Sequence, residues 1–440
     1  MAYLFLTTLI LSIISYYVNN RELVAPSFLF SISFMLASFF AMLNSDNWGK
    51  NINPATYWVI TLGIGEFIFI CYFLRLLFRE DCNSTLNYES TIFNIKFGKN
   101  KLITLEVVQL IFIVIIIRSI IKVTGQTNIA QAINTLNFSA NNELNSTVAL
   151  PSYAKVMQTF NFEVGILGIY LFIKNIIYNK KFDLTLFIEA LIGALGSLLN
   201  GSRGGTLMCI VASVVFILIL KQGKYRFYKK SNSKNIIYTF LIIFIVLLLL
   251  KWSATVVGRD VQSYNIFDYI SLYIGAEIKN LDIFINNGLF PAKNQLFGQQ
   301  TFTTIYSFLI KHANLGIQPY FLDLPYQVIN GHLLGNVYTT FYPWIYDFGY
   351  TGVAVLTFLM AFISETMYFY SKKASKNFAP LFKLFYGGTV APCILFSFFS
   401  NRFYEAMNIV NTLVTIIIWA SLNYLFKNNM QNIEKEGTTK

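Results

Sequence analysis

The feature that most constrains this chain is a succession of apolar runs, each about as long as a bilayer's hydrocarbon core is thick. Their approximate cores are 3–18, 23–43, 55–78, 102–122, 160–178, 183–200, 204–221, 235–252, 342–370, 381–400 and 404–426. By length they predict about eleven spanning helices. The expected fold class is all-α: a single polytopic membrane domain over 1–440, with an outer polar loop at 123–159 and a large outer loop at 253–341. Composition agrees. Hydrophobic residues are 55% of the 440, charged residues only 12%, and the mean hydropathy is +0.55, which argues against a soluble globular domain. No internal repeat or low-complexity tract is evident. The N-terminal run has no basic start and no small-residue cleavage site, so it reads as a retained first helix.

The net charge of +12 could point to nucleic acid. Here many basic residues sit in short loops between apolar runs, so they read as cytoplasmic anchors. Arg21, the groups Arg75 to Lys101, Lys174 to Lys181, Lys221 to Lys234 and Lys372 to Lys383, and the tail form one set of loops. The alternate loops carry lysine sparsely, at Lys50, Lys155, Lys279, Lys293 and Lys311. The positive-inside rule makes the first set cytoplasmic, with the N-terminus outside and the C-terminus inside. Cys71, Cys82, Cys209 and Cys393 share no metal-like spacing and read as packing residues.

Four arginines fall at or near the outer surface: Arg118, Arg203, Arg259 and Arg402. Anchoring does not predict them there; binding an anionic group does, if the helices bring them together. Arg203 sits in Asn200-Gly201-Ser202-Arg203-Gly204-Gly205, a tight reversal between two apolar runs. Its planar charged fork suits phosphate. The alternative is a turn whose arginine snorkels to lipid headgroups, and the stretch alone leaves both open.

In the large outer loop, residues 267–287 place Ile270, Tyr273, Ile274, Glu277, Leu281 and Phe284 at helical spacing. An amphipathic helix lying at the interface or roofing the bundle is expected, with a second at 298–311. Both histidines, His312 and His332, lie in this loop. His332 is a candidate general base, or simply a loop residue. Asp347, in an aromatic run at a helix start, is a candidate by its depth, or a helix-end acid favoured by the macrodipole. Arg402 has an ordinary helix partner in Glu405. Glu66, Glu106, Glu163, Glu189 and Glu365 are scattered through apolar runs, which keeps a proton-coupled carrier open. There is no P-loop and no Rossmann glycine pattern, and the first outer loop, 44–54, offers only Asp46. A metal-dependent glycosyltransfer site is not supported, so neither a metal nor another cofactor is expected. Side-chain cations would then have to stabilise a departing diphosphate.

Several stretches, in order, carry a resemblance: Gly201-Ser202-Arg203-Gly204-Gly205; Tyr273-Ile274-Gly275 with Leu281-Asp282; Phe297-Gly298-Gln299-Gln300-Thr301-Phe302; Asn336-Val337-Tyr338-Thr339; and Tyr346-Asp347-Phe348-Gly349-Tyr350-Thr351-Gly352. Together, over roughly 195–355, they resemble the oligosaccharide repeat-unit polymerases, the O-antigen and capsule polymerase family. The resemblance implies a membrane glycosyltransferase of the glycosyltransferase C-type architecture in the bacterial cytoplasmic (inner) membrane. Such an enzyme joins oligosaccharides carried on undecaprenyl diphosphate at the outer face, beside a flippase and a chain-length regulator. On this reading Arg203, Arg259 and Arg402, with Arg118, hold the donor diphosphate. His332 or Asp347 takes the acceptor proton, and Tyr338 stacks on sugar. A lipid-linked oligosaccharide flippase or transporter, which should show an internal repeat, and an O-antigen ligase, which uses a lipid A core acceptor, remain alternatives.

Overall fold

The computed structural model describes residues 1–78, 99–142, 148–201, 203–224, 265–292, 296–313, 322–372, 381–407, 411–422 and 424. The chain is an all-α polytopic membrane protein with one small antiparallel hairpin, Gln327–Ile329 against His332–Gly335. Among the described residues, seven helices are long and apolar enough to cross a membrane: Pro26–Leu43, Pro54–Phe78, Lys99–Thr124, Ser152–Asn179, Gly204–Lys221, Phe341–Lys372 and Leu381–Phe398. Three shorter apolar helices accompany them, Ala2–Val18, Leu184–Leu199 and Asn411–Leu422. The expected run at 235–252 lies outside the described residues.

Several boundaries depart from the apolar runs for local reasons. The helix expected from 160 begins at Ser152, because the polar turn ahead of the apolar run continues the same backbone. The last expected span, 404–426, is divided: a short helix Arg402–Ala406 comes first, and Asn411–Leu422 follows. Between Phe341 and Lys372 the helix breaks at Gly349, whose φ of 66° and ψ of −156° lie outside helical space. A residue with a Cβ resists that conformation. The break releases carbonyls from the helical ladder, and the Tyr346 carbonyl accepts from the Ala292 amide at 2.7 Å.

The two long segments expected to lie outside, and called outer on that expectation, contain helices of their own. The polar loop 123–159 carries Ile129–Asn142. The amphipathic segment of the large loop is not one helix lying flat. It breaks at Gly275 into Ile266–Ile274 and Ala276–Asn287. A Cβ at Gly275 would stand 2.6 Å from the Ala41 amide nitrogen, so the break seats directly on the end of Pro26–Leu43. The second outer helix is sunk into the bundle: Glu277, Lys279, Asn280 and Asp282 are all buried. Asp282 holds it there. Its Oδ1 accepts from the Asn53 amide at 2.8 Å and from Thr56 Oγ1 at 3.0 Å, at the start of helix Pro54–Phe78. Lys279 Nζ donates to Asp282 Oδ2 at 2.8 Å and to the Asn51 carbonyl at 3.0 Å. The second expected outer helix is present as Thr303–Ala313.

At the opposite end, where the loops carry the basic residues, the charges are internal. Arg75 Nε donates to Glu365 Oε1 at 2.7 Å, and Lys372 Nζ meets Glu22 at 2.8 Å. The Tyr368 hydroxyl donates to Glu22, and the Tyr368 ring lies under both cations. The Arg75 and Glu365 side chains are 13% and 2% exposed, so this arginine is no lipid anchor and this acid is not isolated. Two cations face two anions, contributed by helices Pro54–Phe78 and Phe341–Lys372 and by the turn at Glu22, so the cluster is neutral as a whole. Breaking a buried pair leaves one charge uncompensated, whereas replacing both partners by apolar groups is far less costly. Glu365→Ala is predicted to destabilise the protein by about 3–5 kcal/mol in detergent unfolding, and Glu365→Met with Arg75→Met to recover most of that loss.

Candidate functional site

Arg203 stands on a reversal built by its neighbours. Helix Leu184–Gly196 tightens into the turn Ser197–Asn200, and Gly201 then takes a left-handed φ of 67°. A Cβ there would stand 2.5 Å from Asn137 Cβ, so both the angle and the space require glycine. Ser197 and Thr206 hydroxyls lie 2.8 Å apart, and both donate to the Ala194 carbonyl, fastening the two limbs of the reversal.

The Arg203 side chain turns inward. It is 7% exposed, which decides against snorkelling to headgroups. Its Nη1 donates to the Tyr269 hydroxyl at 2.6 Å, and its guanidinium lies 4.8 Å from the Tyr273 ring centroid. Both tyrosines belong to the first outer helix. Burial pushes the Tyr269 phenol up to about 12, the nearby Tyr273 adding to this and Arg203 opposing it, so the phenol stays protonated at neutral pH. Tyr273 in turn stacks on Phe399, with centroids 6.4 Å apart and planes 16° from parallel. Phe399 belongs to the turn that leads into Arg402. Arg203 and the Arg402 turn are thus joined through two aromatic rings.

The other candidates are placed as follows. Arg402 pairs with Glu405 at 3.3 Å, the ordinary helix partner, and its side chain is 37% exposed. Its neighbour Asn401 is buried and structural: Oδ1 accepts from Trp344 Nε1 at 3.0 Å, and Nδ2 donates to the Thr301 carbonyl at 2.9 Å. Arg118 is exposed on helix Lys99–Thr124. Arg259 lies outside the described residues, as does Ser202. His332 is exposed on the hairpin, opposite Ile329. Nothing is described of the His312 side chain.

Asp347 and Tyr338 are engaged within the protein. Asp347 accepts from the backbone amides of Thr301 at 2.6 Å and Gln300 at 3.2 Å. It thereby anchors the Phe297–Phe302 turn to the start of the broken helix. The Tyr338 ring is buried and stacked 4.1 Å from Tyr342, not free to stack on sugar. Its hydroxyl donates to the Pro325 carbonyl at 2.8 Å and accepts from Gln327 at 2.9 Å. Asp347→Asn keeps the shape but removes the charge that draws two amides. About 1–3 kcal/mol of local stability is predicted to go, read as faster amide exchange in the 297–303 peptide.

The sequence reading missed one group. Glu277 is fully buried, and neither carboxylate oxygen has a hydrogen-bond partner on another described residue. Asn280, one helical turn on, is also fully buried; its Nδ2 donates to the Val337 carbonyl at 2.7 Å and its Oδ1 has no partner among the described residues. Ser271 Oγ on the preceding helix shares that condition. In the sequence Glu277 looks like any polar residue of an amphipathic helix. Only the sinking of the helix makes it exceptional. Among the described residues no three His, Cys, Asp or Glu side chains gather as metal ligands.

Burial raises the Glu277 carboxyl well above its ordinary 4.5. The folded state therefore keeps this proton longer than the unfolded chain does. Stability falls as pH rises past that ordinary value, until the folded carboxyl also ionises. Glu277→Gln has no proton to lose. It is predicted to melt higher than the parent at neutral pH, with the gain vanishing as the pH falls below about 4.5.

Compared with protein-family models, with curated proteins and with solved structures, the chain matches none.

Proposed function

We propose that this protein polymerises oligosaccharide units carried on undecaprenyl diphosphate, at the outer face of a bacterial cytoplasmic membrane. The reading takes about eleven spans, the run at 235–252 included, with the N-terminus outside and the C-terminus inside. It is a metal-independent membrane glycosyltransferase of the glycosyltransferase C type, working beside a flippase and a chain-length regulator.

One observation carries the reading. Segments that are distant in sequence, and that resemble the polymerase family in their order, pair in space. The glycine-flanked Arg203 packs on Tyr273 of Tyr273-Ile274-Gly275, with the guanidinium 4.8 Å from the ring centroid. The Phe297–Phe302 turn is tied to Asp347 through two amides.

In this reading Arg203 grips the donor diphosphate and stabilises the charge that develops as the sugar leaves. Tyr269 and Tyr273 fix its plane, a positioning role that suits a fork needing defined geometry. Arg402 lies on the linked turn and Arg118 on a neighbouring outer end; Arg259 completes the expected set. Asp347 supports the site as an anchor of the outer turn.

The test is the glycan made by cells carrying Arg203→Ala. Chains should collapse to single units on the acceptor, and purified protein should form polymer at least about 100-fold more slowly. Tyr269→Phe, which keeps the ring and removes the hydroxyl, should cost about tenfold. Unchanged chain length in Arg203→Ala removes this arginine from the mechanism. A bare acceptor core with polymer accumulating on its lipid would point to a ligase instead.

A further inference from the structure

Glu277 and Asn280 lie one turn apart on the second outer helix, so they share a face. Both are fully buried, and three of their oxygen atoms have no hydrogen-bond partner on another described residue. Leaving buried polar groups unpaired costs about 1–3 kcal/mol each, and native proteins carry few of them. Both residues sit on a helix fastened into the bundle by Asp282 and Lys279.

The chemistry of these atoms is selective. The Asn280 amide is oriented by the bond from its Nδ2 to the Val337 carbonyl, which leaves Oδ1 as an acceptor. Glu277 keeps its proton to a higher pH than an ordinary carboxyl, so only its ionised fraction can act as a base, and that form offers acceptors only. The group they suit is therefore a hydrogen-bond donor, such as a hydroxyl. Glu277 also lies in the first turn of a 12-residue helix, where the macrodipole favours negative charge. The other two candidates for proton acceptor are differently placed: Asp347 is bound to two backbone amides, and His332 stands exposed on the hairpin.

We infer that Glu277, with Asn280 beside it, holds the attacking hydroxyl of the acceptor sugar and takes its proton. The inference rests on the glycosyl-transfer reading above. In the step, the acceptor oxygen forms a bond to the anomeric carbon of the donor. The bond from that carbon to the diphosphate oxygen breaks, its electron pair leaves with the diphosphate, and the hydroxyl proton passes to Glu277.

The test uses the full-length chain in nanodiscs with an undecaprenyl-diphosphate-linked oligosaccharide. Glu277→Gln should form glycosidic bonds at least about 100-fold more slowly, with KM for the lipid-linked unit unchanged. Glu277→Asp should be intermediate. A Gln variant within about threefold of the parent rate overturns the assignment and leaves the polymerase reading standing, since the parent is then active. An inactive parent protein overturns both. Should Glu277→Gln fail to fold, the parent decides the matter by labelling with dicyclohexylcarbodiimide, an apolar reagent for protonated carboxyls. Suppression of label on the Glu277 peptide by saturating lipid-linked unit supports the assignment, and undiminished label overturns it.

Discussion

Asp282 fastens the outer part of this molecule to its membrane bundle. One carboxylate oxygen takes the Asn53 amide and the Thr56 hydroxyl, and the other takes Lys279. These bonds join the second outer helix to the start of Pro54–Phe78, more than two hundred residues earlier in the chain. The position of everything on that helix pair follows. Tyr269 and Tyr273 meet Arg203 because the first outer helix is held at the bundle's end. Glu277 and Asn280 are buried because the second is drawn in beside it.

The two ends of the bundle treat charge differently. At the basic-loop end, Glu22, Arg75, Glu365 and Lys372 neutralise one another inside the protein. Such a cluster tolerates low dielectric because opposite charges and a tyrosine hydroxyl replace lost hydration. At the outer end, Arg203 rests on aromatic rings and a phenol, and Glu277 has no partner on another described residue. The first arrangement resists change. The second holds its polar groups against rings, a phenol and a backbone carbonyl.

Seven of the expected spans were legible because hydrocarbon admits little but continuous apolar helix, and length is read directly from residues. The outer helices were legible as periodicity, though not as two pieces, since the break at Gly275 is set by the Ala41 backbone it abuts. Arg203 was legible as a charged fork in a glycine turn, but its inward course was not. Tyr338 and Asp347 stood out by residue type and neighbourhood. The fold spends both on internal bonds, and no spacing along the chain reveals where a partner 46 residues away will donate.

Local sequence by itself determined the all-helical, membrane class of this protein and the order of its long apolar helices, because these depend on neighbours along the chain. The tertiary structure alone decided which arginine is clamped, which acids are paired and which carboxyl is stranded. Those outcomes depend on solvent exclusion and on donors contributed by remote segments, and both exist only once the helices have packed.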